Sequence, residues 1–385
     1  MDKDKEDVML APGIRSAARL ALACLLPALA APALAADIDY GKPGQPVHLV
    51  VGYQPYYTES WSGVVMRDKE FWKKYLPAGS TVEFQVGLQG AIIVNAMLAG
   101  KEHIGYMGDM PAIVSTTKQS VADVRIVATV GLGEDQCNIF LVRKDAPAFS
   151  DPQQALKWLN GKQVAVPKGS CTDRFAQAVF KKDKIEPAAY LNQNIEVITS
   201  GFRVGKLDAA VIWEPTASRL VEEGLARRIA SGASASENDG GFLAMRADLI
   251  KQRPDVVKGW LNAELDAQLF VADPKNATEV IRIVHGQTTG FPEKILWMSL
   301  YGAYPPNEGG AAVRVRFVYG ITPDARELIT RATKFLHSIK SIDVETLRPD
   351  AVMPQFADEV LKERGLKSPV GEVRAQPMSD YKGKS

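Results

Sequence analysis

The segment 168–173 (KGSCTD) has the residue types of an anion-binding helix start. A glycine and small hydroxyl residues precede a predicted helix over 173–182. The first turn of a helix leaves backbone N–H groups unpaired and carries the positive end of the helix dipole. Such a start binds anions without an arginine, but an ordinary capped helix has the same composition. The segment therefore indicates either an anion site or a simple helix cap.

Aromatic and acidic residues lie near the ends of predicted strands. Aromatic side chains there could form a wall for an apolar or planar ligand group, although core packing would claim some of them. They are Tyr53, Tyr56, Tyr57, Trp61, Tyr106 and Trp213. One carboxylate among Glu134, Asp135 and Glu214 could pair with a ligand amine, although exposure to solvent is the commoner state of such residues.

The sequence contains no GxSxG, HExxH, P-loop or paired-carboxylate motif. Cys171 could be an activated thiolate at a helix start, a buried thiol, or one half of a disulfide with Cys137. The histidines do not have metal-ligand spacing, because they are scattered singly at His48, His103, His285 and His337. We therefore expect no catalytic residues, no metal, no cofactor and no enzymatic activity.

Residues 1–35 have the layout of a secretory signal. Arg15 and Arg19 precede an apolar stretch over 20–34, and Ala33 and Ala35 are small residues at the two positions that a signal peptidase reads. A retained membrane anchor is the alternative, for which this stretch is short. We expect cleavage after Ala35, export, and an oxidising environment for the two cysteines that remain.

The rest of the chain alternates strands with helices, which predicts an α/β fold with mainly parallel sheets. The predicted strands are 48–53, 81–86, 103–107, 124–130, 137–142, 161–166, 195–199, 208–213, 226–230 and 242–245. The main predicted helices are 60–75, 91–99, 153–159, 173–182, 254–272, 277–285, 292–300 and 323–338. A length of 385 residues suggests two compact lobes, and a net charge of +1 gives no basic face for nucleic acid.

Several segments together resemble the alkanesulfonate, taurine and nitrate binding proteins of ABC importers, a family that also includes thiamine-pyrimidine-precursor binders. The matching segments occur in the order found in that family, over about 46–245. They are 52–54 (GYQ), 87–89 (GLQ), 96–111 (AMLAGKEHIGYMGDMP), 161–170 (GKQVAVPKGS) and 205–215 (GKLDAAVIWEP).

The resemblance implies a type II periplasmic-binding fold, in which two lobes are joined by two hinge strands. Residues 36–133 and the mainly helical 241–367 would form lobe one, residues 134–240 lobe two, and residues 368–385 a flexible tail. The ligand-binding residues that we expect from the resemblance and from the reasoning above are Gln54, Tyr56, Gln89, Gly108, Asp109, Ser170, Cys171, Thr172, Trp213 and Glu214.

The implied function is that of a periplasmic receptor. It would bind a small organic anion, such as a sulfonate with an aromatic or amine-bearing part, and deliver it as a monomer to an ABC permease in the inner membrane. Departures from the family pattern at Met107, Cys171, Thr172 and Glu214 leave the ligand open. The alternatives are an enzyme on the same scaffold, related to pyrimidine-precursor synthesis, and a periplasmic sensor module.

Overall fold

The structure is a computed structural model that describes residues 37–383. The expected signal sequence, residues 1–35, lies outside the described residues. Within the described range, no helix combines the length and the apolar character needed to cross a bilayer.

Twelve strands and fourteen α-helices make up the described chain. The strands are β1 (His48–Tyr53), β2 (Thr81–Val86), β3 (Ile104–Gly108), β4 (Val124–Gly133), β5 (Ile139–Arg143), β6 (Gln163–Val166), β7 (Ala189–Asn192), β8 (Ala209–Ile212), β9 (Ala226–Ser231), β10 (Asp239–Arg246), β11 (Val313–Phe317) and β12 (Gly371–Arg374). The helices are α1 (Trp61–Lys69), α2 (Gly90–Leu98), α3 (Asp109–Thr116), α4 (Pro152–Trp158), α5 (Cys171–Asp183), α6 (Ile195–Arg203), α7 (Thr216–Glu222), α8 (Gly232–Ala235), α9 (Ala247–Gln252), α10 (Pro254–Ala272), α11 (Ala277–His285), α12 (Glu293–Leu300), α13 (Pro323–Ser338) and α14 (Gln355–Glu363).

The strands form two separate sheets, each the centre of one lobe. The lobe-one sheet has the order β12-β11-β4-β10-β3-β1-β2, and the lobe-two sheet has the order β7-β6-β8-β5-β9. Parallel pairs connected through helices, such as β1 with β3 and β6 with β8, lie within each sheet. Antiparallel pairs are more numerous, six against four in the described chain, with β10 between β3 and β4 and with β5 between β8 and β9. The two-lobed α/β fold is as expected, but the prediction of mainly parallel sheets is wrong, because the returning strands β10 and β5 each pair antiparallel on both sides.

The chain passes between the lobes twice, after β4 and after β9. The first crossing is 134–138 and the second is 232–238. The crossings run side by side, since Gly232 N donates to Asn138 O at 3.0 Å and Asp239 pairs with Gly133 across β10 and β4. Two adjacent connections of this kind allow the lobes to rotate about a common line.

Both sheets are covered by helices on both faces. Alternate residues of β10 enter different apolar clusters of lobe one, with Leu243 and Met245 in one and Phe242 and Ala244 in the other. Strand β5 divides its side chains in the same way in lobe two. Because alternate side chains of a strand point to opposite faces, this pattern holds each sheet between two helical layers.

The sequence prediction of a strand at 195–199 is wrong, because this segment begins helix α6. Asn194 caps the helix by accepting from Val197 N at 2.9 Å. The buried side chains of α6 recur at helical spacing, with Ile195, Ile198, Thr199 and Phe202 on one face. The strand of this region is β7, directly before the cap.

The expectation of a flexible tail from Ser368 also needs correction. Residues 371–374 form β12, which pairs antiparallel with β11 at the edge of the lobe-one sheet. Val373 is buried in the main cluster of that lobe. Apolar burial and strand pairing therefore hold this part of the C-terminal segment against lobe one.

Candidate functional site

A cavity of about 310 Å³ lies between the two lobes. Lobe one contributes Gln54, Tyr57, Gln89, Gly90, Ala91, Val94, Asn95, Gly108, Pro111, Val114 and Ser341. Lobe two contributes Pro167, Lys168, Gly169, Ser170, Cys171 and Trp213. A volume of this size suits a small molecule, and walls from both lobes would enclose it.

Three helices begin at this cavity, each at the end of a strand or just beyond one. The residues before the first turns of α2, α3 and α5 are Gln89, Gly108 and Ser170, and all three line the cavity. In none of the three does the side chain of that residue cap the helix. The positive ends of three helix dipoles therefore converge on one space, which favours an anionic ligand.

The loop before α5 has a backbone conformation that favours glycine. Gly169 has a φ of +78°, and its N–H donates to Asp173 Oδ2 at 2.9 Å. This turn brings Ser170 and Cys171 to the cavity wall. The segment 168–173 therefore does begin a helix at the cavity, as an anion site requires.

Polar side chains of lobe one complement these helix starts. Gln54 is buried and its side-chain amide has no hydrogen-bond partner within residues 37–383, although it lines the cavity. Buried amides are normally hydrogen-bonded, so this group is available to a ligand.

Lys168 is the one cation of the lining, and its Nζ lies 4.9 Å from the centre of the Tyr190 ring. The lining described above contains no carboxylate side chain.

The remaining wall is apolar and aromatic. Tyr57 and Trp213 face the cavity from opposite lobes and belong to one buried cluster with Cys137 and Cys171. Trp213 Nε1 also donates to the backbone carbonyl of Tyr56 at 3.2 Å, across the cleft. The lobes are thus in contact around the cavity, as expected for a closed form.

Cys137 and Cys171 form a disulfide, with their Cα atoms 6.2 Å apart. Cys137 lies in the first crossing, and Cys171 is the first residue of α5. The bond therefore fixes a cavity-lining helix start to the connection between the lobes. Residues 37–383 hold no other cysteine, so this part of the chain offers no free thiol as a nucleophile.

Six of the ten predicted site residues line the cavity, and four do not. The six are Gln54, Gln89, Gly108, Ser170, Cys171 and Trp213. Tyr56 lies outside the lining, where its hydroxyl accepts from Thr289 N at 3.2 Å and its ring packs against Phe291. Thr172 is buried behind the wall, with its Oγ1 2.7 Å from Ser170 Oγ.

Asp109 is fully buried and does not reach the cavity. Its Oδ1 accepts from Met110 N at 2.7 Å, and its Oδ2 accepts from Arg174 Nη2 at 3.2 Å. Burial raises the pKa of this carboxyl, and the adjacent Arg174 guanidinium partly offsets that effect. Asp109 therefore connects the two lobes rather than facing a ligand.

Glu214 lies in a second buried ion cluster, away from the cavity. Its Oε1 is 3.3 Å from Arg228 Nη1 and 3.6 Å from Arg314 Nη2. Asp135 pairs with the same two arginines. Glu134, the third acidic candidate, is exposed and also lies outside the lining. Glu214 and Asp135 are paired with arginines, and Glu134 is exposed to solvent. None of the three could therefore pair with the amine of a ligand in the cavity.

One face of α2 was missed by the sequence reasoning. Ala91, Val94 and Asn95 all line the cavity, at the spacing that places residues on one side of a helix. Their position directly after Gln89 was the signal that could have identified them. Ser341, between α13 and α14, comes from far along the chain and has no comparable signal in the sequence.

Comparison with known proteins identifies relatives of this chain. Residues 42–285 match the NMT1-like family. The taurine-binding periplasmic protein of Escherichia coli (strain K12) is 27% identical over 266 residues, which covers 65% of this chain and 75% of that protein.

Solved structures of the same fold include a binding protein and an enzyme. The alkanesulfonate-binding protein SsuA from Xanthomonas axonopodis pv. citri, bound to MOPS, is 18% identical, with a TM-score of 0.61 and coverage of 80% of this chain and 98% of that chain. The desulfurization enzyme DszB is 16% identical, with a TM-score of 0.59 and coverage of 83% and 100%. At these identities the likeness shows the fold, which is the two-lobed α/β fold of periplasmic-binding proteins. Since residues 42–285 make up more than half of the 385-residue sequence, the chain belongs to the NMT1-like family.

Proposed function

We propose that this protein is a periplasmic receptor that binds a small organic anion between its lobes and delivers it to an ABC importer. The observation that carries the proposal is the convergence of three helix starts from both lobes on one cavity. All three helix starts contribute partial positive charge, and the starts of α2 and α5 also contribute backbone N–H groups, which together suit a sulfonate or a related anionic head. The start of α3 contributes fewer N–H groups, because Met110 N already donates to Asp109 Oδ1 and Pro111 has none.

The apolar part of the lining argues for a ligand with an apolar body. Tyr57 and Trp213 supply aromatic surface, and Val94, Pro111 and Val114 supply aliphatic surface. A planar or aliphatic group between them would be buried, which stabilises the complex by about 25 cal/mol for each Å² of apolar surface removed from water. The lining has no carboxylate, so an ammonium group on the ligand would lose its hydration without gaining a charged partner.

Lobe closure is the proposed mechanism. The two crossings lie side by side, and cavity residues come from both lobes, so bound ligand bridges surfaces that separate when the lobes rotate apart. Ligand then stabilises the closed form in proportion to its preference for that form. The closed form would be the one recognised by a membrane permease.

The location and partner are inferred from the family. The taurine-binding relative is a periplasmic protein, and the expected signal at 1–35 agrees with export. We therefore place this protein in the periplasm as a monomeric carrier, with a small-molecule ligand and an inner-membrane ABC permease as its partners. A periplasmic sensor would use the same clamp and would differ in its membrane partner.

A binding role is favoured over catalysis, although an enzyme shares the fold. Within residues 37–383 both cysteines are consumed by one disulfide. No group of three or more His, Cys, Asp or Glu side chains in this range could hold a metal ion. The cavity lining also lacks a carboxylate or histidine that could act as a general base.

The experiment is a thermal-shift and calorimetric screen of the chain from Ala36. Benzenesulfonate and benzenesulfonamide form a matched pair, since they share shape and differ in charge. Ethanesulfonate and taurine form a second pair that differs by one ammonium group. A ligand at a hundred times its dissociation constant should add about 2.7 kcal/mol, a rise of roughly 5–11 °C at about 2–4 °C for each kcal/mol.

We expect the anion of the first pair and the amine-free member of the second to bind more tightly. Equal binding of benzenesulfonate and benzenesulfonamide would contradict the anion site. Conversion of any bound compound to a product, detected by mass spectrometry, would show that the protein is an enzyme and not a receptor.

A further inference from the structure

Arg174 is a buried cation of lobe two that does not line the ligand cavity. Its side chain is 4% exposed and lies on the fourth residue of α5. Its Nη2 is 3.2 Å from Asp109 Oδ2 and 2.8 Å from Asn238 O, and its Nη1 is 3.3 Å from Glu237 Oε2. A guanidinium with several planar donors can satisfy acceptors on different elements at once.

The acceptors of Arg174 belong to lobe one and to the second crossing. Asp109 is the first residue of α3 and directly follows Gly108, which lines the cavity. Glu237 and Asn238 lie in the second crossing, directly before β10. One side chain therefore ties the cavity-lining helix of lobe two both to the hinge and to a cavity-lining helix of lobe one.

The disulfide ties the same helix start to the other crossing. Cys171 begins α5, and Cys137 lies in the first crossing. The start of α5 is thus anchored to both connections between the lobes. The contact of α5 with Asp109 of lobe one differs from these two anchors, because rotation of the lobes about the hinge would separate α3 from α5 and break it.

We propose that Arg174 is a positioning residue that latches the lobes closed through Asp109 and so sets how long a ligand stays bound. This inference rests on the proposed clamp function for its ligand readout, but not on the identity of the anion. Arg174 makes no contact with the cavity, so its effect on binding would act through the closed arrangement of α3 and α5.

The geometry also explains how such a latch could open. In the closed form both charges are buried and compensate each other, whereas opening would return both to water. Because hydration replaces the ion pair on opening, the pair favours closure without making it irreversible. Removing Arg174 would leave Asp109 as a buried charge without this partner, and removing Asp109 would leave Arg174 with the partly exposed Glu237 alone, so either change would favour the open form.

The tests use Asp109→Asn, Arg174→Gln and the double variant. Asn at position 109 keeps an oxygen in the place of Oδ1, which accepts from Met110 N, and replaces the charged acceptor that faces Arg174 with an uncharged NH2 group. Lys294→Gln is the matched control, since Lys294 Nζ pairs with Glu222 Oε1 of the other lobe at 2.5 Å but both side chains are substantially exposed.

Dissociation of benzenesulfonate is measured by stopped flow, and the radius of gyration of the ligand-free chain by X-ray scattering. If the closed fraction falls to roughly a tenth, apparent affinity falls about tenfold. We expect that loss in both single variants, mainly as faster dissociation, together with a larger radius of gyration. The effects should be non-additive in the double variant, and Lys294→Gln should match the natural chain.

Unchanged dissociation and unchanged scattering in the single variants would overturn the latch. If a single variant proves too unstable to purify, the double variant tests the same contact, because it leaves neither charge buried alone. If the natural chain binds none of the anions, the proposed function fails. Scattering of the ligand-free variants is then the remaining test of the latch. A radius of gyration equal to that of the natural chain would refute it.

Discussion

The indole nitrogen of Trp213 donates to the backbone carbonyl of Tyr56 across the cleft, at 3.2 Å. Trp213 follows β8 in lobe two and Tyr56 follows β1 in lobe one. Since the Trp213 ring also lines the cavity, the same side chain faces the cavity and joins the lobes. A ligand held in the proposed site would therefore be physically connected to lobe closure at this residue.

Trp213→Phe is expected to weaken anion binding by a few-fold to about tenfold. The substitution keeps an aromatic wall and removes the N–H donor, and a hydrogen bond of this kind contributes about 0.5–1.5 kcal/mol. Isothermal titration of benzenesulfonate measures the change. Trp158→Phe is the matched control, because Trp158 packs against Phe149 in lobe two and lies outside the cavity lining. Equal affinity in the natural chain and Trp213→Phe would show that the cross-cleft hydrogen bond does not contribute to ligand binding.

Gln54→Leu is expected to lower anion affinity at least tenfold while leaving the ligand-free protein as stable as before. The Gln54 side chain lines the cavity and its amide has no protein hydrogen-bond partner in the described chain, so an apolar replacement of similar size removes a ligand donor without breaking a hydrogen bond within the protein. Melting temperature and dissociation constant are measured on the same samples.

Gln85→Leu on β2 serves as the control for Gln54→Leu, because its Nε2 donates to Glu83 and it lies outside the lining. Retained affinity in Gln54→Leu would show that Gln54 does not contribute to ligand binding.

The disulfide is expected to contribute about 3–4 kcal/mol to the free energy of unfolding, given the sequence separation of 34 between the two cysteines. Urea denaturation of the chain from Ala36, with and without reductant, measures this. The Cys137→Ala/Cys171→Ala variant should match the reduced protein and should not respond to reductant. Titration of two free thiols in the unreduced, unfolded protein would show that the bond does not form.

Stability should fall as pH rises through the neutral range because of a buried carboxyl pair behind Tyr57. The Tyr57 hydroxyl donates to Glu59, and both Glu59 and Asp239 are fully buried. Burial raises the pKa of Asp239 from 3.8 to about 8 and also raises the pKa of Glu59 well above its usual value.

The folded state therefore keeps a proton that the unfolded chain releases. The free energy of unfolding decreases between about pH 4 and pH 8 for this reason. Asp239→Asn should flatten that decrease, so that the variant gains stability relative to the natural chain at pH 8 and not at pH 4. Urea midpoints across this range provide the measurement. Asp145→Asn, at an exposed pair with Arg143, should leave the slope unchanged. If stability falls with pH as steeply in Asp239→Asn as in the natural chain, a group other than Asp239 is responsible for the decrease.

The long C-terminal helices were predictable because their signals are local. The predicted helix over 254–272 coincides with α10, where Pro254 occupies the first turn. The predicted helix over 323–338 coincides with α13, whose cap Thr322 accepts from Ala325 N. Strands β11 and β12 were missed, since they are short, carry alternating charged residues and are stabilised by each other across more than fifty residues of chain.

The candidate site was predictable where chain geometry alone positions a residue. Gln54, Gln89 and Ser170 follow strand ends, which meet at one edge of each sheet. Asp109 and Glu214 follow strands as well, but their partners decide their role. Arg174 and Arg314 lie far away in sequence, and Arg228 lies on a different strand. No local pattern therefore shows that these arginines would pair with the two carboxylates.

The central claim is that an anion closes the two lobes and leaves unchanged. The most direct test is small-angle X-ray scattering of the chain from Ala36 during titration with benzenesulfonate, with recovered ligand identified by mass spectrometry and benzenesulfonamide as the uncharged control. The account predicts one ligand bound per chain, a decrease in the radius of gyration with the anion only, and quantitative recovery of intact benzenesulfonate. Saturating anion binding with an unchanged radius of gyration, or recovery of a converted product, would contradict it.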